Sequence, residues 1–383
     1  MARKKIKTDE SPPVGGDSVL TDILVDSLNK QLGDVAFILG KNDSNSDVKE
    51  WISTGSTVLD TIISNSAQGG GVPVGKLTEI VGEEATGKSL LSYMILKDCQ
   101  DRGGVPVLID TENAVNEDFL QLLGMKLYPE GQLIYVQVDS VEKVFSAIEN
   151  VIRKIKENRK DKLCCVVWDS VAGSSTDAEM QKDYGESTVG MHARMIGQGL
   201  RKTIRFIGKE RVALVFLNQM RQKIGVVFGD DLVAPGGKAI PFFASVRLRL
   251  YRDGFVKAGK DTLGVGIRPF VQKNRMGPPK REAKLKMYFN RGLIDEESWL
   301  DVLLQFNVAE KISAQKSSIT NKDNGEVYEF KNSKFVDFIR APANNEAHRY
   351  CQQKVRDVLI IEQDPDKREE EMVLEKISPG EET

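Results

Sequence analysis

The segment that most constrains this chain fits the pattern G-x-x-x-x-G-K-[ST] at every required position: Gly82-Glu83-Glu84-Ala85-Thr86-Gly87-Lys88-Ser89. An apolar strand is predicted at Lys76–Val81, directly before the segment, and a helix is predicted at Lys88–Arg102. Glycines at these positions let backbone N–H groups wrap around a phosphate, and the N-terminus of the helix adds a favourable dipole. The pattern alone also fits a glycine-rich turn with a solvated lysine, but its position between a strand and a helix favours a phosphate-binding loop.

Beyond this loop, the chain up to residue 292 alternates predicted strands with predicted helices. Apolar runs predict strands at Val105–Asp110, Leu133–Val138, Leu163–Asp169 and Val212–Gln219, and helices are predicted at Val141–Lys160 and Gly190–Gly208. Such a pattern is typical of a parallel sheet covered by helices on both faces. Three later segments predict antiparallel strands at one edge: Phe242–Tyr251, Ile267–Lys273 and Ala283–Asn290. The predicted fold class is therefore α/β, with a mostly parallel sheet.

The chain divides into four predicted regions. Residues 1–50 hold a charged arm and then apolar residues at helical spacing from Leu20 to about Leu39. A single helix has no core of its own, so we expect it to pack on another body, such as a neighbouring subunit. Residues 51–292 form the α/β core, residues 293–361 a small α/β domain, and residues 362–383 an acidic tail that we expect to be mobile.

Composition argues against several classes of protein. The longest apolar runs have six residues, whereas a membrane-spanning helix needs roughly 20, and the N-terminus lacks the apolar core of a signal peptide. Four cysteines without a Cys-x-x-Cys pair argue against a disulfide scaffold and against a zinc site. We therefore expect a cytoplasmic protein.

Two carboxylates follow apolar strands and complete a candidate hydrolytic site. Asp169 ends the strand Leu163–Asp169, at the sheet edge where α/β proteins bind ligands, so we expect it to hold magnesium (Mg²⁺) together with the Ser89 hydroxyl. Glu112 follows the strand Val105–Asp110 and is a candidate to orient water toward the γ-phosphate, which Lys88 would contact. A carboxylate at a strand end is often only a helix cap or a solvated residue, so the residues alone leave both interpretations of Glu112 open.

From about Leu20 to Val358 the chain resembles the bacterial RecA recombinase family, and in particular a bacteriophage-type member. The resemblance rests on eight segments: Ile52–Ser56, Gly82–Ser89, Ile109–Ala114, Val167–Ala172, Gly190–Lys202, Leu217–Gly225, Gly236–Ala239 and Phe243–Leu248. A general P-loop ATPase has no reason to share the last three of these segments. The resemblance implies a RecA-type P-loop ATPase core, an N-terminal helix used in polymerisation and a small C-terminal domain.

The resemblance also implies roles for individual residues. Glu112 is similar to the family's water-activating glutamate, and Gln219 to the glutamine that senses the γ-phosphate and signals to the following loop. Phe119 stands where the family has a tyrosine that stacks on adenine. Lys273 and Arg275 stand where the family has two cations that reach the ATP of a neighbouring subunit, although the best-known members have lysine at the second position.

Two segments predicted to be neither good strands nor good helices, Glu179–Val189 and Arg221–Lys238, resemble the family's two DNA-binding loops. The second loop combines cations with apolar residues, and exposed apolar groups on a glycine-rich loop are costly unless they meet a partner such as unstacked bases. Ile224 and Val189 stand where the family places residues that wedge between bases. The predicted DNA contacts are Val189, Arg194, Arg201, Arg221, Lys223, Ile224, Gly236, Gly237 and Lys238.

Charge is distributed unevenly along the chain, although the net charge is only −2. Arg194, Gln198, Arg201 and Arg205 share one face of a predicted helix, suited to phosphates, although such a face is also found merely solvated. Arg268–Arg291 contains eight cations and one acid, and we expect it to serve the ATP interface and DNA. Residues 362–383 hold nine acidic and three basic residues, a net charge of −6, so residues 1–361 carry +4.

The predicted function is that of an ATP-dependent homologous recombinase. We expect it to form a helical filament of many copies on single-stranded DNA, to pair that strand with a homologous duplex and to exchange strands, with ATP and Mg²⁺ as cofactors. Two alternatives remain: a hexameric helicase, which would lack the segment Phe242–Leu250, and a non-enzymatic DNA-binding adaptor. The adaptor is disfavoured because the residues that hydrolysis needs are intact: Lys88, Ser89, Glu112, Asp169 and Gln219.

Overall fold

The computed structural model describes residues 17–33, 35–38, 48–158, 162–183, 190–208, 210–222 and 232–361. The chain splits between Asp47 and Val48 into two compact units. Among the described residues, no helix is both long enough and apolar enough to cross a membrane. The predictions for Val189, Lys223, Ile224 and the tail at 362–383 lie outside the described residues.

The bounds of the described elements are as follows. The helices are α1 (Asp17–Leu32), α2 (Thr57–Ser64), α3 (Lys88–Asp101), α4 (Glu117–Leu122), α5 (Val141–Asn158), α6 (Asp177–Met180), α7 (Met191–Ile207), α8 (Ala239–Phe243), α9 (Trp299–Gln305), α10 (Phe335–Ile339) and α11 (Asn345–Leu359). The strands are β1 (Trp51–Ile52), β2 (Val72–Pro73), β3 (Leu77–Gly82), β4 (Val105–Asp110), β5 (Ile134–Gln137), β6 (Cys164–Asp169), β7 (Val212–Gln219), β8 (Arg221–Gln222), β9 (Leu232–Val233), β10 (Val246–Ala258), β11 (Asp261–Asn274), β12 (Leu285–Tyr288), β13 (Gly292–Leu293), β14 (Ala309–Ser313), β15 (Lys316–Thr320) and β16 (Val327–Lys331).

A nine-stranded sheet organises the second unit, in the order β13-β12-β11-β10-β3-β7-β6-β4-β5. The six strands from β10 to β5 are parallel, whereas β11, β12 and β13 are antiparallel. The prediction of a mostly parallel α/β sheet is confirmed. The predicted antiparallel pairing at one edge is confirmed for β10, β11 and β12. The prediction for Phe242–Tyr251 was wrong in its start, because Phe242 belongs to α8, and it did not include the parallel pairing of β10 with β3.

Helices cover both faces of this sheet, as predicted. Alternate strand residues point to opposite faces, so Cys165 and Val167 of β6 join a core with α2, α3, α9 and α11. On the other face, Val166 and Trp168 join a core with α5, α7 and α8. Trp168 is fully buried there, and its ring packs edge-on against the ring of Phe216 at a centroid distance of 4.9 Å.

The region predicted as a C-terminal domain contains the antiparallel sheet β14-β15-β16 together with α9, α10 and α11. Its buried residues Trp299, Phe330 and Val355 belong to the same apolar core as α2 and α3. The described part of the chain from Val48 onward is one compact unit. The boundary at residue 293 stays a prediction.

In the first unit, α1 presents apolar residues to solvent. Their exposed fractions run from 44% to 65%: Val19, Leu20, Ile23, Leu24, Leu28 and Leu32. The helix ends at Leu32, seven residues before the predicted Leu39, because Gly33 adopts the left-handed conformation with φ +80°. The Asn29 side chain then accepts hydrogen bonds from the backbone amides of Val35 and Ala36, at 2.9 and 2.7 Å, which turns the chain away from the helix axis.

Candidate nucleotide site and nucleic-acid interface

The phosphate loop joins β3, all of whose residues are buried, to the first turn of α3. Ala85 and Gly87 both adopt left-handed backbone conformations, with φ +56° and +81°. Gly82 has no room for a side chain, since an added Cβ would lie 2.7 Å from Oγ1 of Thr86 and 2.8 Å from the Leu250 carbonyl. Gly87 caps α3 without a side chain, so no side chain at the cap satisfies the first amides of the helix, and these form a site for an anion.

Lys88 is held against the inner wall of this loop. Its ammonium donates hydrogen bonds to the carbonyls of Gly82 at 3.1 Å and Glu83 at 2.6 Å, and the side chain is buried. Burial lowers the pKa of Lys88, and the negative charges of Asp169 and Glu112 oppose that lowering. A phosphate would offer this cation stronger, charge-assisted hydrogen bonds than two carbonyls.

Asp169, at the carboxyl end of β6, meets Ser89 at the start of α3. Burial raises the pKa of Asp169 to about 6; the Ser89 hydrogen bond opposes this rise, and the nearby negative charges of Glu112 and Asp110 add to it. The chemistry of this pair fits Mg²⁺, which prefers hydroxyl and carboxylate oxygen ligands and commonly keeps several waters. The predicted metal-binding residues are therefore brought together.

Glu112 and Gln219 also meet at this edge of the sheet. The Gln219 side-chain amide donates to Oε1 of Glu112 at 3.4 Å, and the Ser170 hydroxyl donates to the same oxygen. Gln219 ends β7, which pairs directly with β3, and lies opposite Gly82 of the phosphate loop. A carboxylate, an amide and a lysine thus surround the space beside the loop.

Asp110, which sequence reasoning did not select, organises the segment that carries Glu112. Its buried carboxylate accepts hydrogen bonds from the backbone amides of Glu112, Asn113 and Ala114 at 2.8, 2.9 and 3.0 Å. The Tyr135 hydroxyl donates to the same carboxylate at 2.8 Å. An aspartate followed by polar residues at a strand end is a known signal for such a turn, and it was available in the sequence.

Phe119 lies in α4, partly buried against the core. Its ring contacts Tyr93 of α3 edge-on, with a centroid distance of 6.4 Å. Because α3 begins at the phosphate loop, Phe119 is held to the helix that follows the loop. Its role in stacking on adenine stays a prediction.

Lys273 and Arg275 lie away from this chain's own phosphate loop. In the sheet, Lys273 pairs with Arg247, which pairs in turn with Glu79 of β3. Glu79 precedes Gly82 by three residues, about 10 Å along a strand. Both cations donate to the carbonyl of Phe242 at the end of α8, Lys273 at 3.0 Å and Arg275 at 3.2 Å.

A basic surface is formed by α7 and the end of the second loop. Arg194 and Arg201 are exposed on α7, as predicted. Gly236 and Gly237, at φ +87° and +65°, lie so close to this helix that added Cβ atoms would be 3.0 Å from Ile196 and Ala193. Lys238 follows, exposed, at the start of α8, and the backbone of Arg221 pairs with Val233 at the base of the loop.

Known proteins similar to this chain are RecA proteins. The family model for the RecA N-terminal domain matches residues 20–294. Protein RecA of Rubrobacter xylanophilus is 35% identical over 293 residues, which cover 76% of this chain and 81% of the relative. Protein RecA of Legionella pneumophila is 34% identical, with coverages of 76% and 80%, and that of Thermus thermophilus is 36% identical, with coverages of 68% and 73%.

Proposed function

This chain belongs to the RecA family, and we propose that it couples ATP hydrolysis at the phosphate loop to strand pairing on the basic surface of α7. It is a DNA-dependent ATPase and an ATP-dependent homologous recombinase that acts in DNA recombination and repair. The observation that carries the coupling is the contact between Glu112 and Gln219, because Gln219 is the last residue of the strand that leads into the second loop.

In the proposed hydrolysis, Lys88 and the amides of the loop bind the β- and γ-phosphates of ATP. Glu112, oriented by Ser170 and Gln219, accepts a proton from a water molecule as the water oxygen attacks the γ-phosphorus. The bond between the γ-phosphorus and the bridging oxygen breaks, and ADP and phosphate are formed. Mg²⁺, held by Ser89 and Asp169, would neutralise phosphate charge.

The DNA partners we propose are single-stranded DNA and a homologous duplex. Cations such as Arg194 and Arg201 on α7 would contact backbone phosphates, which sets affinity without reading sequence. Sequence would then be read by base pairing between strands. We place Val189, Arg221, Lys223 and Ile224 in the same interface because of their position in the two loops.

Assembly follows from two features of the described residues. The exposed apolar face of α1 has little core of its own, and a neighbouring subunit would bury it. Lys273 and Arg275 lie away from their own phosphate loop and would contact the ATP of a neighbour. A contact of this head-to-tail kind produces an open helical filament unless the rotation closes. Since the proposed ligands are ATP and DNA, we infer that the protein acts in the cytoplasm.

The test compares ATP hydrolysis with and without single-stranded DNA for the wild type, Lys88→Ala and Lys97→Ala. Lys97 is the matched control, because it lies on the same helix α3 in a surface ion pair with Asp101. We expect DNA to stimulate the wild type and Lys97→Ala, and Lys88→Ala to lose activity by at least about 100-fold, as expected for a lost phosphate contact in the transition state. Normal hydrolysis by Lys88→Ala would contradict the proposed site.

Electron microscopy on single-stranded DNA with a slowly hydrolysed ATP analogue separates the recombinase from the helicase alternative. Open helical filaments, together with strand exchange between homologous substrates, are expected. Closed rings without strand exchange would favour a hexameric helicase.

A further inference from the structure

Glu79, in the middle of β3, is a fully buried carboxylate that the proposed hydrolysis does not use. It points to the sheet face of α5, α7 and α8, because Leu77, two residues earlier on the same strand, packs in that core. Arg247 of β10 donates from Nε to Glu79 at 2.6 Å, and Asn218 of β7 donates from its amide at 3.3 Å. One carboxylate thus joins the strands on either side of it.

Asn218 extends this connection to the second loop. Its amide nitrogen also donates to the carbonyl of Pro235 at 2.9 Å, directly before Gly236. Asn218 precedes Gln219, so a single fully buried residue connects the strand that enters the loop with the segment that leaves it. Its Oδ1 atom is buried and, within the described part of the chain, accepts no hydrogen bond, so Asn218 depends on Glu79 and Pro235 for its position.

Arg247 extends the connection in the opposite direction, to the two cations proposed to reach a neighbouring ATP. It pairs with Lys273, and Arg275 follows two residues later. Burial lowers the pKa of Lys273, the positive charges of Arg275 and Arg247 lower it further, and the negative charge of Glu79 opposes them. Three cations therefore crowd one corner of the sheet, and Glu79 is a carboxylate that offsets their repulsion.

We propose that Glu79 is the positioning residue that couples the second DNA loop to Lys273 and Arg275. The inference rests on the roles proposed above for that loop and for those two cations. With its charge in place, Glu79 holds Arg247 on one side and the amide of Asn218 on the other. A neutral residue at position 79 would leave the positive charges of Arg247, Lys273 and Arg275 without this compensating negative charge. It would also weaken the hydrogen bond from Asn218 to the carbonyl of Pro235.

The main test is Glu79→Gln, which keeps the shape of the side chain and removes its charge. We expect ATP affinity without DNA to stay within about 2-fold of wild type, since no phosphate contact changes, whereas DNA-stimulated kcat falls by about 10-fold or more. Arg247→Met alone should cause a comparable loss of stimulation, and the double variant should lose little more than either single variant, because Glu79 and Arg247 act through one connection. A merely structural role predicts instead that ATP affinity and thermal stability fall together with the stimulation and that the losses of the two single variants add.

A second variant keeps the test informative if Glu79→Gln does not fold. Asn218→Ala leaves the Glu79–Arg247 pair intact and removes only the bonds to Glu79 and Pro235, and we expect the same loss of DNA stimulation with unchanged ATP affinity. Wild-type stimulation in a folded Glu79→Gln or Asn218→Ala protein would overturn the inference while leaving the proposed function intact. Failure of the proposed function itself would be seen separately, as an ATPase of the unmodified protein that does not respond to DNA.

Discussion

At the scale of single residues, hydrolysis depends on how firmly Glu112 is held. Its own carboxylate is exposed and contacts Ser170 and Gln219, whereas its backbone is fixed by the buried carboxylate of Asp110. A Cβ added to Gly173 would lie 2.7 Å from Cγ of Glu112, so the side chain of Glu112 has room only because residue 173 is glycine. Residues from three separate segments therefore hold Glu112, the proposed catalytic base, in position.

We predict that Asp110→Ala lowers the kcat of DNA-stimulated ATP hydrolysis by about 10- to 100-fold. Without Asp110 the catalytic base Glu112 is displaced, and a displacement of about 1 Å has an effect of that size. The KM for ATP should change by no more than about 3-fold, since the phosphate loop keeps all of its contacts. Steady-state kinetics measure both parameters. Asp118→Ala, at an exposed position on α4, is the matched control, and an Asp110→Ala enzyme with unchanged kcat would show that the segment holds its shape without this carboxylate.

The sequence was sufficient to predict the residues that follow apolar strands. Asp169 and Glu112 could be predicted to lie beside Lys88 because the carboxyl ends of parallel strands meet at one sheet edge, whereas Gln219 was assigned only through the resemblance to the RecA family. Ser170 and Tyr135 could not be predicted, because their contacts to Glu112 and Asp110 join residues 58 and 25 positions apart. Such contacts depend on how side chains pack in the folded protein, and this packing leaves no periodic pattern in the sequence from which they could be predicted.

At the scale of elements, α2 is a fully buried helix that carries a carboxyl group. All eight of its residues are buried, including Asp60, which accepts hydrogen bonds from the hydroxyls of Ser53 and Thr54 at 2.5 and 2.6 Å. Burial raises the pKa of Asp60 to about 7, the three hydrogen bonds from Ser53 and Thr54 oppose the rise, and the charge of Asp295 adds to it. The helix therefore contains a carboxyl group that folding makes harder to ionise.

We predict that this group makes the protein less stable as pH rises. The folded pKa is above the unfolded value, so the stabilisation is fully present below about pH 4 and is lost as pH rises toward 7. The free energy of unfolding of the wild type should therefore fall by an amount on the order of 2–4 kcal/mol between pH 5 and pH 8, and Asp60→Asn should abolish this fall. Urea unfolding at pH 5 and pH 8 measures it, with the exposed Asp261→Asn as control, and equal pH dependence in wild type and Asp60→Asn would contradict the prediction.

Element boundaries were harder to predict than element types. The hairpin formed by β10 and β11 spans 13 and 14 residues, yet only parts of each strand were predicted. Gly254, Gly264 and Gly266 interrupt the alternation of apolar residues along the strands. The pairing register shifts between Arg252 and Phe255, and the two strands stay paired beyond this point. Cross-strand pairing, which the alternation rule does not include, keeps these residues in strands.

At the scale of the whole molecule, the distribution of charge matters more than its sum. Residues 1–361 carry a net charge of +4, and the exposed cations of α7 include Arg194, Arg201 and Arg205. Residues 362–383 carry −6 and lie outside the described residues. Because they are tethered to the same chain, their acidic groups are present at a high effective concentration near the basic surface. They are therefore candidates to compete with DNA phosphates.

We predict that deleting residues 362–383 strengthens binding to single-stranded DNA by about 3- to 10-fold at 50 mM salt, and that the gain disappears near 0.5 M salt because counterions screen the charges. Fluorescence anisotropy of a labelled oligonucleotide across a salt series measures the effect. A full-length protein whose nine acidic tail residues are replaced by Gln and Asn is the matched control, since it removes the charge and keeps the length. If this control behaves like the wild type while the deletion binds more tightly, length and not charge is responsible; equal binding by all three proteins would show that the tail does not compete with DNA.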